Sequence, residues 1–86
     1  MPTVQITKTA YTQFVAADVE TFTAQCRAMS GMEVQFAAAQ PAVDVDGVLV
    51  PAGLPYGVTR ANGSGIGWAK LPAGAPVETA DVVVVF

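Results

Sequence analysis

The chain has 86 residues, a formal net charge of −3, one cysteine and no histidine. That length makes one domain, residues 1–86, with a modest core. A single thiol without histidine leaves neither a disulfide nor a structural zinc site to reinforce it. Only Lys8, Arg27, Arg60 and Lys70 are positive, and they do not cluster. Nucleic-acid phosphates or an anionic membrane surface would want a basic stripe, so neither is an expected partner.

The dominant period along the chain is two. Thr3 to Thr7 alternates, with Val4 and Ile6 on one face, and Tyr11 to Val15 is a second short strand candidate. Ala16 to Glu20 and Ala37 to Gln40 are long enough only for brief helical turns. Glu20 to Ala28 places Phe22, Ala24, Cys26 and Ala28 on one face and Thr21, Thr23, Gln25 and Arg27 on the other. Met32, Val34, Phe36 and Ala38 repeat the pattern after Met29-Ser30-Gly31. Two alternating runs joined by a short Gly-containing loop predict an antiparallel hairpin.

The second half carries more turn signals. Asp46-Gly47 stands between the β-branched runs Val43–Val45 and Val48–Val50, and Asn62-Gly63 stands between Tyr56–Arg60 and Ile66–Leu71. Both dipeptides favour tight hairpin turns. Val50-Pro51-Ala52-Gly53-Leu54-Pro55 recurs as Leu71-Pro72-Ala73-Gly74-Ala75-Pro76. Pro at the second position and Gly at the fourth suit a type I turn, and the prolines stop a ladder, so two equivalent corners are expected. Asp81 to Phe86 includes four consecutive valines. A run apolar on both faces predicts a strand covered on both sides. The fold class read from this grammar is all-β: a small antiparallel β-sandwich or barrel of about 6–8 short strands.

Several patterns imitate chemistry. Asp44-Val45-Asp46-Gly47 resembles part of a calcium loop, but its Gly comes too early and Val48 to Val50 follow. Gly63-Ser64-Gly65-Ile66-Gly67 resembles a phosphate cradle, yet a strand follows where a helix N-terminus is needed. No histidine supplies a general base near neutral pH. Cys26 falls on the apolar face of its strand, where thiols are core residues and not nucleophiles. The carboxylate pairs Asp18 with Glu20 and Asp44 with Asp46 read as solvated strand ends and turns. No enzyme activity, cofactor or metal is therefore expected.

Composition instead points to association. Charged residues make up 13 % of the chain, hydrophobic residues 52 %, and the mean hydropathy is +0.46. Soluble domains carry about 25 % charge, and small ones need more polar surface, not less. The competing account is a monomer coated in its eight Thr and five Gln. Exposed apolar surface usually marks an interface, and Val82, Val83, Val84, Val85 and Phe86 are its candidate. Tyr56, Arg60, Trp68 and Lys70 are candidate surface contacts, and Trp68 with Tyr56 could form a stacking platform for sugar. No apolar run reaches the roughly 18 residues of a membrane span. The N-terminus lacks the basic and apolar regions of a signal peptide, so synthesis in a cytoplasm is expected.

The stretch Val48 to Phe86 resembles small bacteriophage virion proteins. The residues that carry the likeness are the Val50–Gly53 turn, the Leu54–Val58 strand, the Gly63–Lys70 tip and strand, and the valine-rich Val82–Phe86. The resemblance implies a small β-domain that decorates a capsid or forms the base of a head fibre or spike. It would act as a homo-oligomer, in contact with itself and a larger shell or fibre protein, in virions assembled in the host cytoplasm. A small carbohydrate-binding β-module is the alternative, and a generic adaptor in a cellular complex is a third reading.

Overall fold

The computed structural model describes residues 3–61 and 63–86. They form eight strands and no helix: β1 (Thr3–Thr7), β2 (Thr12–Val15), β3 (Thr21–Cys26), β4 (Met32–Ala37), β5 (Val48–Val50), β6 (Tyr56–Thr59), β7 (Ile66–Lys70) and β8 (Thr79–Val85). Two four-stranded sheets result, with orders β1-β8-β3-β6 and β2-β7-β4-β5, here called sheets A and B. All pairs are antiparallel.

The pairing is nested. β1 pairs with β8, β2 with β7, β3 with β6 and β4 with β5. The chain is thus one long antiparallel ribbon, folded at segment 38–47 and rolled so that β3 also meets β8 and β4 also meets β7. This is the jelly-roll form of the β-sandwich. Every connection crosses between sheets except β4 to β5.

Alternation sends one face of each strand into the layer between the sheets. From sheet A come the rows Val4–Val82–Cys26 and Val84–Ala24–Tyr56, with Phe22 beside Val58. From sheet B come Ala69 beside Val34, Met32 beside Val50, and Val15–Gly67–Phe36. Ile6, Ala24, Cys26, Met32, Ala69, Leu71, Val82 and Val84 are wholly buried there. A bulge in β2 between Gln13 and Val15 turns both Phe14 and Val15 into the core. Gly67 makes the room: a Cβ on it would lie 2.3 Å from Val15 Cγ1 and 3.1 Å from the Phe14 ring.

The expected strands are present, but their partners differ from the reading by pattern. β3 and β4 do not form a hairpin. They lie in opposite sheets, joined by a crossover through Gly31. Gly31 has φ +74°, and a Cβ there would sit 2.4 Å from the Val50 carbonyl oxygen. Alternation says which residues face inward, not which strand lies alongside, and both strands bury a face in the same layer from opposite sides. β4 and β5 do pair, but through segment 38–47 and not a tight Asp46-Gly47 turn. Val43–Val45 is a turn, with Val45 N–H donating to the Ala42 carbonyl at 3.1 Å.

Asn62 lies outside the described residues, while Gly63 has φ +84°. The strands flanking that dipeptide, β6 and β7, are in opposite sheets, so they too form a crossover and not a hairpin. Segment 16–20 holds a reverse turn, closed by Val19 N–H to the Ala16 carbonyl at 3.2 Å. The two Pro-Ala-Gly segments both carry the chain from sheet B to sheet A, as equivalent corners should. Their bonding differs. One closes on itself, Ala75 N–H to Pro72 carbonyl at 3.0 Å; the other is tied to β3, Gly53 N–H to Cys26 carbonyl at 3.2 Å.

Two crossovers meet at one end of the sandwich, segments 16–20 and 60–65, and Arg60 joins them. Its Nε donates to the Val19 carbonyl at 2.8 Å, its Nη2 to the Ala16 carbonyl at 2.7 Å, and its Nη1 to the Gly65 carbonyl. Its guanidinium also lies over the Phe36 and Phe22 rings, 5.2 and 5.7 Å from their centroids.

Two variants test these contacts by urea unfolding. Gly67→Ala should overpack the Phe14–Val15 bulge and cost about 1–3 kcal/mol. Arg60→Ala should cost about 3 kcal/mol, because three carbonyls lose a charged donor. Arg60→Lys should recover only part of that, since an ammonium cannot fork to three acceptors and stack at once.

Candidate interaction surface

Among the described residues no pocket opens at the surface, so the sheet faces and edges are what the molecule offers to a partner. The outer faces of the two sheets differ sharply.

Sheet B covers part of its own outer face. Rows Gln13–Trp68–Gln35 and Lys70–Glu33–Leu49 point outward. Lys70 is nevertheless only 6 % exposed. Its Nζ pairs with Glu33 Oε2 at 3.3 Å and lies 5.5 Å from the centroid of the Tyr11 ring. Segment 38–47 packs back over this group. Tyr11 Oη donates to the Val45 carbonyl at 2.6 Å, Gln40 Nε2 donates to the Tyr11 carbonyl at 2.7 Å, and Gly47 N–H donates to Glu33 Oε1 at 3.1 Å. Tyr11 is almost fully buried here, apart from the main core cluster. Both Glu33 oxygens are engaged, so the buried ion pair keeps its hydrogen bonds.

Sheet A is bare. Its outward rows are Thr3–Val83–Gln25, Val85–Thr23–Gly57, Gln5–Asp81, Thr7–Thr79 and Thr21–Thr59. Asp81 is the one ionisable side chain among the strand residues on this face. The rest is hydroxyl, amide, glycine and valine, with Val85 46 % exposed; Phe86, just past the strand, is 69 % exposed. Uncharged groups of this kind lose little on leaving water if hydrogen bonds are remade.

The residues singled out by sequence are dispersed. In the valine run, Val82 and Val84 are core, Val83 is half-buried, and Val85 and Phe86 are exposed. The strand is covered on one face by sheet B and flanked by β1 and β3. The interface candidate therefore reduces to Val83, Val85 and Phe86.

Tyr56 packs inward from sheet A, beside Ala24, whereas Trp68 lies on the outer face of sheet B with Nε1 donating to the Ala37 carbonyl at 3.1 Å. The two rings are on different sheets and form no common platform for sugar. Arg60 and Lys70, expected as surface contacts, are both engaged within the fold. Arg60 ties the crossovers, and Lys70 is buried against Glu33 and Tyr11. Cys26 is fully buried, and Asp44 and Asp46 are exposed on segment 38–47. The anchoring role of Tyr11 carried no signal in the sequence, because its partners come from a loop more than 25 positions away.

Burial raises the Tyr11 hydroxyl above its ordinary pKa of 10.0, and the negative charges of Glu33 and Asp46 raise it further. The fold thus favours the neutral phenol. That preference is fully present below about pH 10 and is lost as the pH rises through the folded-state value. Tyr11→Phe should abolish this alkaline loss of stability while costing about 1 kcal/mol at neutral pH for the missing bond to Val45. Thermal unfolding from pH 7 to 11.5 checks both parts.

No protein-family model matches this chain, and comparison with curated proteins and with solved structures finds no similar protein.

Proposed function

We propose that this chain is a non-enzymatic structural protein of a phage or phage-like particle, which decorates the capsid or forms a head fibre or spike base by packing against copies of itself and a larger shell protein. The observation that carries the reading is the outer face of sheet A: four strands wide, with Asp81 as the one ionisable side chain on its described strand residues, and ending in exposed Val85 and Phe86. A face with so little charge has a low desolvation cost on contact with another protein. Sheet B supports the same choice by contrast, since its polar outer face is partly covered by the chain's own segment 38–47. The jelly-roll topology is one that viral shell subunits use; lectins and cupins share it, so fold analogy adds support only beside the face itself.

The mechanism is packing. Val83 and Val85 supply apolar area, with Phe86 exposed just past the strand's end, and the surrounding Thr side chains supply donors and acceptors to a facing sheet.

Light scattering on the purified chain at high micromolar concentration should report assemblies larger than a monomer. Val85→Glu combined with Phe86→Ser should reduce that association at least fivefold without changing the unfolding midpoint, since both side chains are exposed. Unchanged assembly in the double variant would remove sheet A's face from the account. The virion assignment is tested by genomic neighbourhood: capsid and portal genes alongside would support it, and a metabolic operon would sink it.

A further inference from the structure

One cross-strand row on the outer face of sheet B has the makings of a ligand site that the packing of sheet A does not involve. Gln13 of β2 and Gln35 of β4 both pair in register with Trp68 of β7, so the indole stands between two amides. Neighbouring strands lie about 4.8 Å apart, which sets the two glutamine Cα atoms about 10 Å from each other with the tryptophan midway. The indole is fixed before any ligand arrives, because its Nε1 donates to the Ala37 carbonyl at 3.1 Å. Trp68 is half-buried, so part of its ring stays in contact with solvent.

The two amides are available. Gln25 and Gln40 commit theirs to the Gly53 and Tyr11 carbonyls. Gln13 is exposed, and half-buried Gln35 holds no buried polar atom left unpaired, while neither side chain has a hydrogen-bond partner among the described residues. The row is also neutral. The only ionisable side chains on the strands of sheet B are Glu33 and Lys70, and they pair with each other. Segment 38–47 is tied down over that pair and Tyr11, one row away. No pocket opens among the described residues, so whatever meets this row is flat.

We propose that Trp68, Gln13 and Gln35 bind a neutral glycan, with one pyranose of an extended β-1,4-linked chain stacked on the indole. A pyranose has a face of C–H bonds and a rim of hydroxyls. The C–H face suits an aromatic surface, and the rim meets two amides that each donate and accept. A β-1,4 linkage keeps successive rings extended, as a flat sheet requires, whereas an α-1,4 chain coils away from it. Because the indole is pinned in advance, little ordering is lost on binding. Tyr56 packs inward from the other sheet and takes no part. The site lies on the sheet opposite the proposed packing face and does not depend on that reading.

Trp68 is the chain's one tryptophan, so its emission reports the site directly. Titration with cellohexaose should shift that emission and saturate, and maltohexaose at the same concentrations should shift it less. Gln13→Ala and Gln35→Ala should each weaken cellohexaose binding about fivefold, the loss of one hydrogen bond. Their unfolding midpoints should stay at the wild-type value, since neither amide holds the fold. Trp68→Ala should abolish binding, followed by ligand-observed NMR in place of fluorescence. The sheet A variant, Val85→Glu with Phe86→Ser, should bind as the wild type does, which keeps the glycan site and the packing account separable. Emission unchanged by cellohexaose up to its solubility limit overturns the proposal. So does equal binding of maltohexaose, or binding undiminished when both glutamines are replaced.

Discussion

Arg60 is the side chain on which one end of the sandwich depends. A jelly roll must turn its chain between sheets again and again, and each crossover leaves carbonyls that no ladder partner satisfies. At the end where segments 16–20 and 60–65 meet, Arg60 serves three of them, on Ala16, Val19 and Gly65. Its flat guanidinium also lies over Phe22 and Phe36, one from each sheet, so a single residue ties loop to loop and sheet to sheet. Nearby backbone bonds continue the closure: Arg60 N–H to the Glu20 carbonyl at 2.8 Å and Gly63 N–H to the Ala17 carbonyl at 3.2 Å.

With that end fixed, the core can be made from small pieces. Most core side chains are Val, Ala and other modest residues in paired rows, and the larger rings gather where space was made for them. Phe14 meets Phe22 edge-on at 5.6 Å, beneath the room that Gly67 leaves. Such a layer is thin, and a thin layer tolerates little overpacking.

The same thinness explains the unequal faces. A chain of this length cannot cover both sheets, and its one long connection, segment 38–47, covers part of sheet B. The ion pair of Lys70 and Glu33, with Tyr11 beneath the segment, is affordable there because each polar group has a partner. The outer face of sheet A is tied only to segment 51–55, through Gln25 and the Gly53 carbonyl. Its Thr side chains keep it wettable, while Val83 is half-buried and Val85 exposed among them.

The sequence by itself determined the strands and their inward residues. Phe22, Ala24, Cys26, Met32 and Val34 were legible as core because period-two alternation is a local property of the backbone. The two Pro-Ala-Gly corners were legible for the same reason, since proline and glycine act within a turn. Tertiary structure decided everything that requires knowing a neighbour. Alternation could not tell a hairpin from a crossover between β3 and β4, because either places the same side chains inward. It could not divide the valine run, where Val82 and Val84 became core and Val83 and Val85 outer face only once β1 and β3 had taken their places beside β8. It read Arg60 and Lys70 as surface charges, and only the meeting of distant loops enclosed one in carbonyls and paired the other with Glu33. Burial and partnership belong to the assembled sheets, and no window of sequence contains both sides of such a contact.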